Sequence, residues 1–139
     1  MMTQDVQSVE LGVPFDKAFD YIADPHHLPD WAHAFHGVHD GRARLETPND
    51  AVEIGLTVHT SREQGTVDWT MTLPDSSLAQ AFSRVTPAGQ GRCIYSFVLL
   101  APPVSLEQFE GTLQQQSATL REELARLRHI LEHSCHACG

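Results

Sequence analysis

The chain has 139 residues, 41% hydrophobic and 19% charged, and its 18 acidic against 9 basic residues give a formal net charge of −9. This size and composition predict one globular domain whose core needs no disulfide or metal to hold it together. Lys17 is the single lysine, so binding to nucleic acid or to an anionic membrane surface is not expected. The sequence shows neither the ~20-residue apolar run of a spanning helix nor a signal peptide, and we expect a cytoplasmic protein.

The first part of the chain is predicted to form one strand and two short helices. Residues 6–13 alternate weakly between apolar and polar and stop at Pro14, as a strand would. Apolar residues then recur at helical spacing over 15–23, and Pro25 ends that helix. A second short helix is predicted over 28–35.

Turn signals divide the chain after Gly37 into five predicted antiparallel strands. Two of them alternate clearly, which predicts a sheet with one apolar face. The alternating apolar residues are Val52, Ile54, Leu56 and Val58, then Val67, Trp69, Met71 and Leu73. The turn between these strands predicts that His59 lies opposite Asp68. Such a pair could tune a general base, but its place on the outer face favours a surface cross-strand pair.

One long amphipathic helix is predicted from Val104 to about Leu131, with Ser105 as its N-cap. Polar residues interrupt its apolar stripe over 114–117, where we expect Gln116 to face the sheet. The stripe consists of Leu106, Phe109, Leu113, Leu120, Leu124, Leu127 and Leu131. Strand, two helices, five strands and a long helix together predict an α+β fold with an apolar space between sheet and helix.

Several segments resemble the SRPBCC superfamily, which includes START domains and polyketide cyclase/dehydrase-like proteins. They are residues 13–25, Leu28-Pro29-Asp30-Trp31, Gly65-Thr66-Val67-Asp68-Trp69 and Pro102-Pro103. The resemblance covers nearly the whole chain and implies a helix-grip fold, a curved antiparallel β-sheet wrapped around the long C-terminal helix. We predict one helix-grip domain over 1–132 and, from its residues, a Cys/His-containing tail over 133–139. Because members of this superfamily differ in ligand and chemistry, the resemblance does not indicate which reaction, if any, this protein catalyses.

The leading interpretation is binding of a small hydrophobic or aromatic molecule in the cavity, without a cofactor. Trp69 and Tyr95 carry polar tips that could orient a ligand, although plain core packing is the alternative. The ligand-binding candidates are Trp31, His33, Leu56, Val58, Trp69, Met71, Tyr95, Phe97, Phe109 and Gln116. A second interpretation is a cyclase/dehydrase-like enzyme with His33, which the family places near the cavity mouth, as acid or base.

Histidines and cysteines suggest a third interpretation, a metal-binding module. Five histidines lie within 25–41, and the last seven residues hold two cysteines and two histidines. Imidazole and thiolate bind zinc and copper, so the candidate ligands are His33, His36, Cys135 and Cys138. The alternative for the histidines is that they are solvated side chains at helix ends and in a loop. The alternatives for the tail are a frayed terminus or a redox pair formed by Cys135 and Cys138. The exposed side of the long helix could also support a homodimer.

Overall fold

The computed structural model describes residues 3–32, 35–46, 51–102 and 112–133. Within these ranges seven strands form one curved antiparallel sheet in the order β1-β7-β6-β5-β4-β3-β2. The strands are β1 (Gln4–Leu11), β2 (Phe35–His39), β3 (Arg42–Glu46), β4 (Ala51–Ser61), β5 (Thr66–Thr72), β6 (Leu78–Pro87) and β7 (Cys93–Leu100). The helices are α1 (Phe15–Ala23), α2 (Leu28–Trp31) and α3 (Leu113–His133), and a short 3-10 turn (Pro25–His27) precedes α2.

The hydrophobic core lies between the inner face of the sheet, α3 and the α1–α2 segment. The alternation predicted for β4 and β5 is confirmed, because Glu53, Thr57 and His59 face outward and are exposed. The inward residues Ile54, Leu56, Val67, Trp69 and Leu73 are buried, and Val52, Val58 and Met71 are half-buried. None of the helices in the described ranges combines the length and apolar character needed to cross a membrane.

One strand more than expected follows α2. The first predicted strand after Gly37 is in fact part of a hairpin, β2 and β3, joined at Asp40 and Gly41. Both turn residues have positive φ, 50° and 74°, the backbone of a two-residue hairpin turn that an Asp-Gly pair favours. The expectation of five strands is therefore wrong. It used the longer turn segments as strand boundaries and did not recognise Asp40-Gly41 as a further turn.

The end of the β4–β5 hairpin is fastened to two other elements. The predicted register is confirmed, with His59 opposite Asp68. The Gly65 carbonyl accepts a hydrogen bond from the backbone N–H of Val85 on β6 at 2.8 Å. On the same turn, the Arg62 guanidinium forms ion pairs with Asp16 and Asp20 of α1. The turn is thus held between β6 and α1.

The C-terminal helix begins later than predicted. Thr112 is its N-cap, because the Thr112 hydroxyl accepts a hydrogen bond from the backbone N–H of Gln115 at 3.3 Å. The Gln115 side chain in turn accepts from the Thr112 N–H at 2.8 Å, which completes a capping box. A single helix running from Val104 is therefore wrong, and α3 has 21 residues, a length of about 31 Å. The expected N-cap, Ser105, lies outside the described residues.

Ser117, rather than Gln116, interrupts the apolar stripe of α3. Ser117 is buried among the leucines that face the core, whereas Gln116 is half-buried beside it. The Ser117 hydroxyl donates to the carboxylate of Asp5 on β1 at 2.6 Å. The Gln7 side chain donates to the Ser117 carbonyl at 2.8 Å. The polar residue in the stripe therefore fixes α3 to β1.

A second carboxylate, that of Glu132, links the C-terminal end of α3 to the residue that follows β1. The Glu132 side chain accepts a hydrogen bond from the Gly12 N–H, just beyond β1, at 2.8 Å, and Arg128 lies 3.1 Å from it. The Gly12 N–H holds the pKa of Glu132 below its usual value. Near the N-terminal end of α3, hydrogen bonds lower the pKa of Asp5 below its usual value. The largest effect comes from the Ser117 hydroxyl, and the next from the Gln7 amide.

We expect the free energy of unfolding to fall in acid partly because of Asp5 and Glu132. A carboxyl whose pKa is lower in the folded state stabilises the fold above its unfolded pKa, about 3.9 for Asp and 4.3 for Glu. That stabilisation is lost as the pH falls through the folded-state pKa. Urea midpoints of the wild type and of Asp5→Asn or Glu132→Gln should therefore differ near neutral pH and converge in acid. A gap that stays constant at all pH values would contradict this.

Candidate functional site: an aromatic cluster with unpaired donors

Four aromatic side chains from three elements meet on the inner face of the sheet. They are Trp31 of α2, Trp69 of β5, and Tyr95 and Phe97 of β7, hereafter the aromatic cluster. The Trp31 ring meets the rings of Trp69 and Tyr95 edge-on, with centroids 6.4 and 6.3 Å apart. Phe97 lies 5.6 Å from Trp69 and 6.2 Å from Tyr95. Edge-on and offset contacts of this kind are the favoured arrangements of aromatic pairs.

Small residues on β6 allow the rings of β5 and β7 to meet. β6 runs between those two strands, with Ala81 opposite Trp69 and Ser83 opposite Phe97. Neither small side chain fills the space above the middle strand, so the two larger rings stack across it. The shape of the cluster is therefore set by the alternation of small and large residues across neighbouring strands.

Hydrogen bonds and a ring contact close α2 and join it to α1. The backbone N–H that follows Trp31 donates to the Leu28 carbonyl at 2.7 Å, which closes the single helical turn. The Tyr21 hydroxyl of α1 donates to Asp30 at 3.0 Å. His27 stacks on the Tyr21 ring with centroids 4.1 Å apart. His27 therefore helps to join α1 to the segment that leads into α2.

Three buried polar atoms of the cluster have no hydrogen-bond partner among the described residues. They are the indole Nε1 atoms of Trp31 and Trp69 and the phenol oxygen of Tyr95. Tyr95 is 0% exposed, and the two tryptophans are 3% and 6% exposed. A buried donor left unpaired costs about 1–3 kcal/mol, and native proteins rarely leave one so. The aromatic cluster therefore holds three donors that, among the described residues, are available to an acceptor atom.

Burial raises the pKa of the Tyr95 hydroxyl far above its ordinary value. The nearby Ser83 hydroxyl acts in the opposite direction and lowers the Tyr95 pKa, while Ser83 donates its own proton to the Val67 carbonyl. The negative charge of Asp68 raises the Tyr95 pKa further. Tyr95 therefore stays protonated and can act as a hydrogen-bond donor, not as a base.

The structure brings together several of the predicted ligand-binding residues. Leu56 is buried on β4, next to the half-buried Val58 and Met71. His33 and Phe109 lie outside the described residues. Sequence reasoning singled out the polar tips of Trp69 and Tyr95 but did not single out the indole N–H of Trp31. Trp31 stands out in the Leu-Pro-Asp-Trp segment of the sequence. That its indole N–H lacks a hydrogen-bond acceptor becomes evident only once its neighbours in space are known.

The metal candidates are not assembled in the part of the chain that the structure describes. There, no group of three or more His, Cys, Asp or Glu side chains could hold a metal ion. His36 is exposed on β2, whereas His33, Cys135 and Cys138 lie outside the described residues. His26 is close to Asp24 at 3.0 Å, in the cap of the 3-10 turn. The metal-binding interpretation of these residues stays a prediction.

Solved structures match this fold over nearly the whole chain. The Zhui aromatase/cyclase from Streptomyces sp. R1128 matches with a TM-score of 0.71 at 12% identity, covering 100% of this chain and 99% of that one. A START superfamily protein from Mycobacterium smegmatis matches with a TM-score of 0.66 at 11% identity, covering 94% and 98%. This chain has the SRPBCC-like helix-grip fold. The fold predicted from the sequence is thus confirmed.

A third helix-grip structure is built from two domains. The di-domain aromatase/cyclase BexL of the BE-7585A biosynthetic pathway matches with a TM-score of 0.71 at 14% identity, over 94% of this chain and 47% of BexL. No protein-family model and no curated protein matches the sequence. At such low identity the likeness establishes the helix-grip fold, and function has to be argued from the residues of this chain.

Proposed function

We propose that this protein binds a small, mostly apolar molecule carrying oxygen acceptors, beside the aromatic cluster between the sheet and α3. The supporting observation is the set of three unpaired donors on Trp31, Trp69 and Tyr95. A carbonyl, hydroxyl or ether oxygen accepts from an indole N–H or a phenol O–H. The surrounding rings contribute apolar contact. A pure hydrocarbon would leave the donors unpaired, so the ligand carries oxygen.

The ligand is also neutral. The buried polar side chains in the described ranges are Ser83 and Ser117, and no charged side chain is buried with them. A charged group on the ligand would therefore have no buried counter-charge, which is strongly unfavourable in an apolar interior. The overall charge of −9 opposes anions in addition. Neutral aromatic ketones and phenols fit these constraints.

Intrinsic fluorescence provides a direct test, because both tryptophans of the chain, Trp31 and Trp69, belong to the cluster. We expect 1-tetralone to change the tryptophan emission and to bind more tightly than tetralin, which has the same skeleton without the carbonyl. One hydrogen bond to a buried donor predicts a difference of about ten-fold or more. Equal affinity for the two probes would contradict the assignment of the donors.

Native mass spectrometry of the protein from its own cells identifies the natural ligand. We expect one neutral, oxygen-containing organic molecule per chain, released on denaturation. Its occupancy should fall in Trp69→Phe, which removes a donor and keeps an aromatic ring. It should stay unchanged in Tyr21→Phe, which removes a hydroxyl outside the aromatic cluster. Protein that carries no organic molecule and does not bind 1-tetralone would overturn the proposal.

Catalysis on a polyketide-like substrate is a second candidate function, favoured by the likeness to the Zhui and BexL aromatase/cyclases. In such an enzyme protonated Tyr95 would donate to a substrate carbonyl, and the acid or base proposed from the sequence is His33. The molecule extracted from His33→Ala should then lose the mass of water when incubated with wild-type protein but not with fresh His33→Ala. Unchanged mass with both proteins would leave binding as the function.

A further inference from the structure

Large apolar side chains are exposed on one part of the outer face of the sheet. In the part of the chain that the structure describes, every exposed large hydrophobic residue belongs to β1, β6 or β7. These residues are Val6, Leu78, Phe82, Ile94 and Leu100. Together with the half-buried Val98 of β7 they form the outer patch. The same strand sends Tyr95 and Phe97 inward to the aromatic cluster, so the outer patch lies on the opposite side of the sheet.

The centre of the outer patch is a row of side chains across three neighbouring strands. Val6 of β1 lies opposite Val98 of β7, and Val98 lies opposite Phe82 of β6. Val6 is 61% exposed and Phe82 is 37% exposed. Polar residues border this row along the strands, namely Gln4, Ser8, Gln80 and Ser96. A contiguous apolar area inside a polar rim is typical of an interaction surface.

The outward positions of β1, β6 and β7 carry no net charge. They include two charged residues, Glu10 and Arg84, which have opposite signs. The whole chain, by contrast, has a formal net charge of −9, so two copies repel one another over most of their surface. A neutral apolar area on an acidic protein is where that repulsion is weakest. This favours a second copy of the chain over a basic partner, which would bind the acidic surface instead.

The exposed side of α3, where the sequence allows a homodimer, lacks these properties. It carries charged residues, among them Arg121, Glu122 and Arg126. Over residues 112–133 it presents no exposed large apolar side chain. The outer patch is therefore the better contact surface for a second copy.

The central row is complementary to itself under a two-fold rotation, as a symmetric dimer requires. An axis parallel to β7 and above Val98 would place β6 of one copy over β1 of the other. Phe82 would then lie over the partner's Val6, so that a large side chain faces a smaller one. The two Val98 side chains would meet at the axis. The same rotation brings Arg84 toward the partner's Glu10, two residues beyond the position that it faces directly.

We propose that the outer patch is the contact surface of a homodimer in which two sheets pack face to face. Packed sheets lie about 10 Å apart with their strands within about 30° of each other. Three neighbouring strands over about eight residues present roughly 400 Å² per copy, less than the about 800 Å² per partner of a standard interface. We therefore expect micromolar affinity and dissociation on dilution. The aromatic cluster lies on the inner face, and neither proposal depends on the other.

Sedimentation velocity measures the association directly. The mass of the wild type should rise from 15.4 kDa in dilute solution toward twice that value as the concentration increases. Val6→Glu and Phe82→Lys should each weaken the dimer by about 100-fold, because each symmetric dimer would bury two unpaired charges. Both side chains are exposed in the single copy, so the fold should tolerate these changes. Urea midpoints close to that of the wild type verify this.

An equimolar mixture of the two variants tests the geometry. In the mixed dimer the introduced carboxylate would face the introduced ammonium group, and the remaining Phe82 would face the remaining Val6. The mixture should therefore associate, whereas each variant alone stays monomeric at the same concentration. Thr57→Glu is the matched control, since Thr57 is exposed on the outer face of β4, outside the outer patch. It should associate like the wild type.

Three outcomes would overturn the proposal. The first is wild-type protein that stays at 15.4 kDa at every concentration. The second is association of Val6→Glu or Phe82→Lys alone that equals that of the wild type. The third is a mixture of the two variants that stays monomeric. Monomeric wild type that sediments with phosphatidylcholine vesicles would assign the outer patch to a lipid surface instead.

Discussion

Alanine in place of Gly65 is expected to lower the free energy of unfolding by more than about 3 kcal/mol. Gly65 has a φ of +77°, and a Cβ there would lie 2.2 Å from the backbone oxygen of Val85 and 3.2 Å from the Phe15 ring. The backbone of β6 would have to move, which would weaken the hydrogen bond that joins it to this turn. Urea denaturation measures the effect.

Gly91→Ala is the matched control for that experiment. Gly91 has a similar φ of +66°, but a Cβ added there meets no atom within 4 Å. Only the backbone strain of a left-handed residue should remain, about 1–2 kcal/mol. The difference between the two variants therefore measures the close approach of the hairpin to β6. Equal losses in both variants would show that this approach contributes nothing.

In ligand-free protein, Tyr95→Phe is expected to raise the free energy of unfolding by about 1–3 kcal/mol. The substitution keeps the ring and removes a buried hydroxyl that has no partner among the described residues. The effect on binding should have the opposite sign, with 1-tetralone affinity falling about ten-fold or more because a donor is lost. A gain in stability coupled to a loss of affinity distinguishes a binding residue from a packing residue.

Tyr21→Phe is the control, since the chain has two tyrosines and the hydroxyl of this one is paired. Loss of its hydrogen bond to Asp30 should lower the free energy of unfolding by about 1 kcal/mol and leave 1-tetralone binding unchanged. A Tyr95→Phe variant destabilised as much as Tyr21→Phe would mean that the Tyr95 hydroxyl has a partner in the ligand-free protein. The Tyr95 hydroxyl would then not be a donor available to a ligand.

Local sequence patterns determined most of the fold. The alternation in β4 and β5 predicts which side chains face the core, because successive residues of a strand point to opposite faces. The turn between β4 and β5 predicts the strand register, in which His59 lies opposite Asp68. The helical spacing over 15–23 predicts α1 with the bounds observed. Each of these rests on neighbours in sequence, and so a single chain suffices to predict them.

The errors arose where two local interpretations compete. Asp40 and Gly41 make a turn within a segment that also reads as one strand. Thr112 and Gln115 form a capping box within a stretch whose apolar periodicity predicts one helix from residue 104. The periodicity of that stripe does not reveal where hydrogen bonding begins. It also does not distinguish Ser117 from Gln116, because a small rotation of the helix exchanges the two.

Only the tertiary structure decided what the candidate site contains. The sequence supplies Trp31, Trp69 and Tyr95 as aromatic residues with polar tips, but it does not show whether those tips have partners. That depends on which side chains from α2, β5 and β7 meet, and on the small residues of β6 between them. An unpaired donor is a property of the surroundings in three dimensions. Strand patterns are determined by neighbours in sequence, whereas binding sites are determined by neighbours in space.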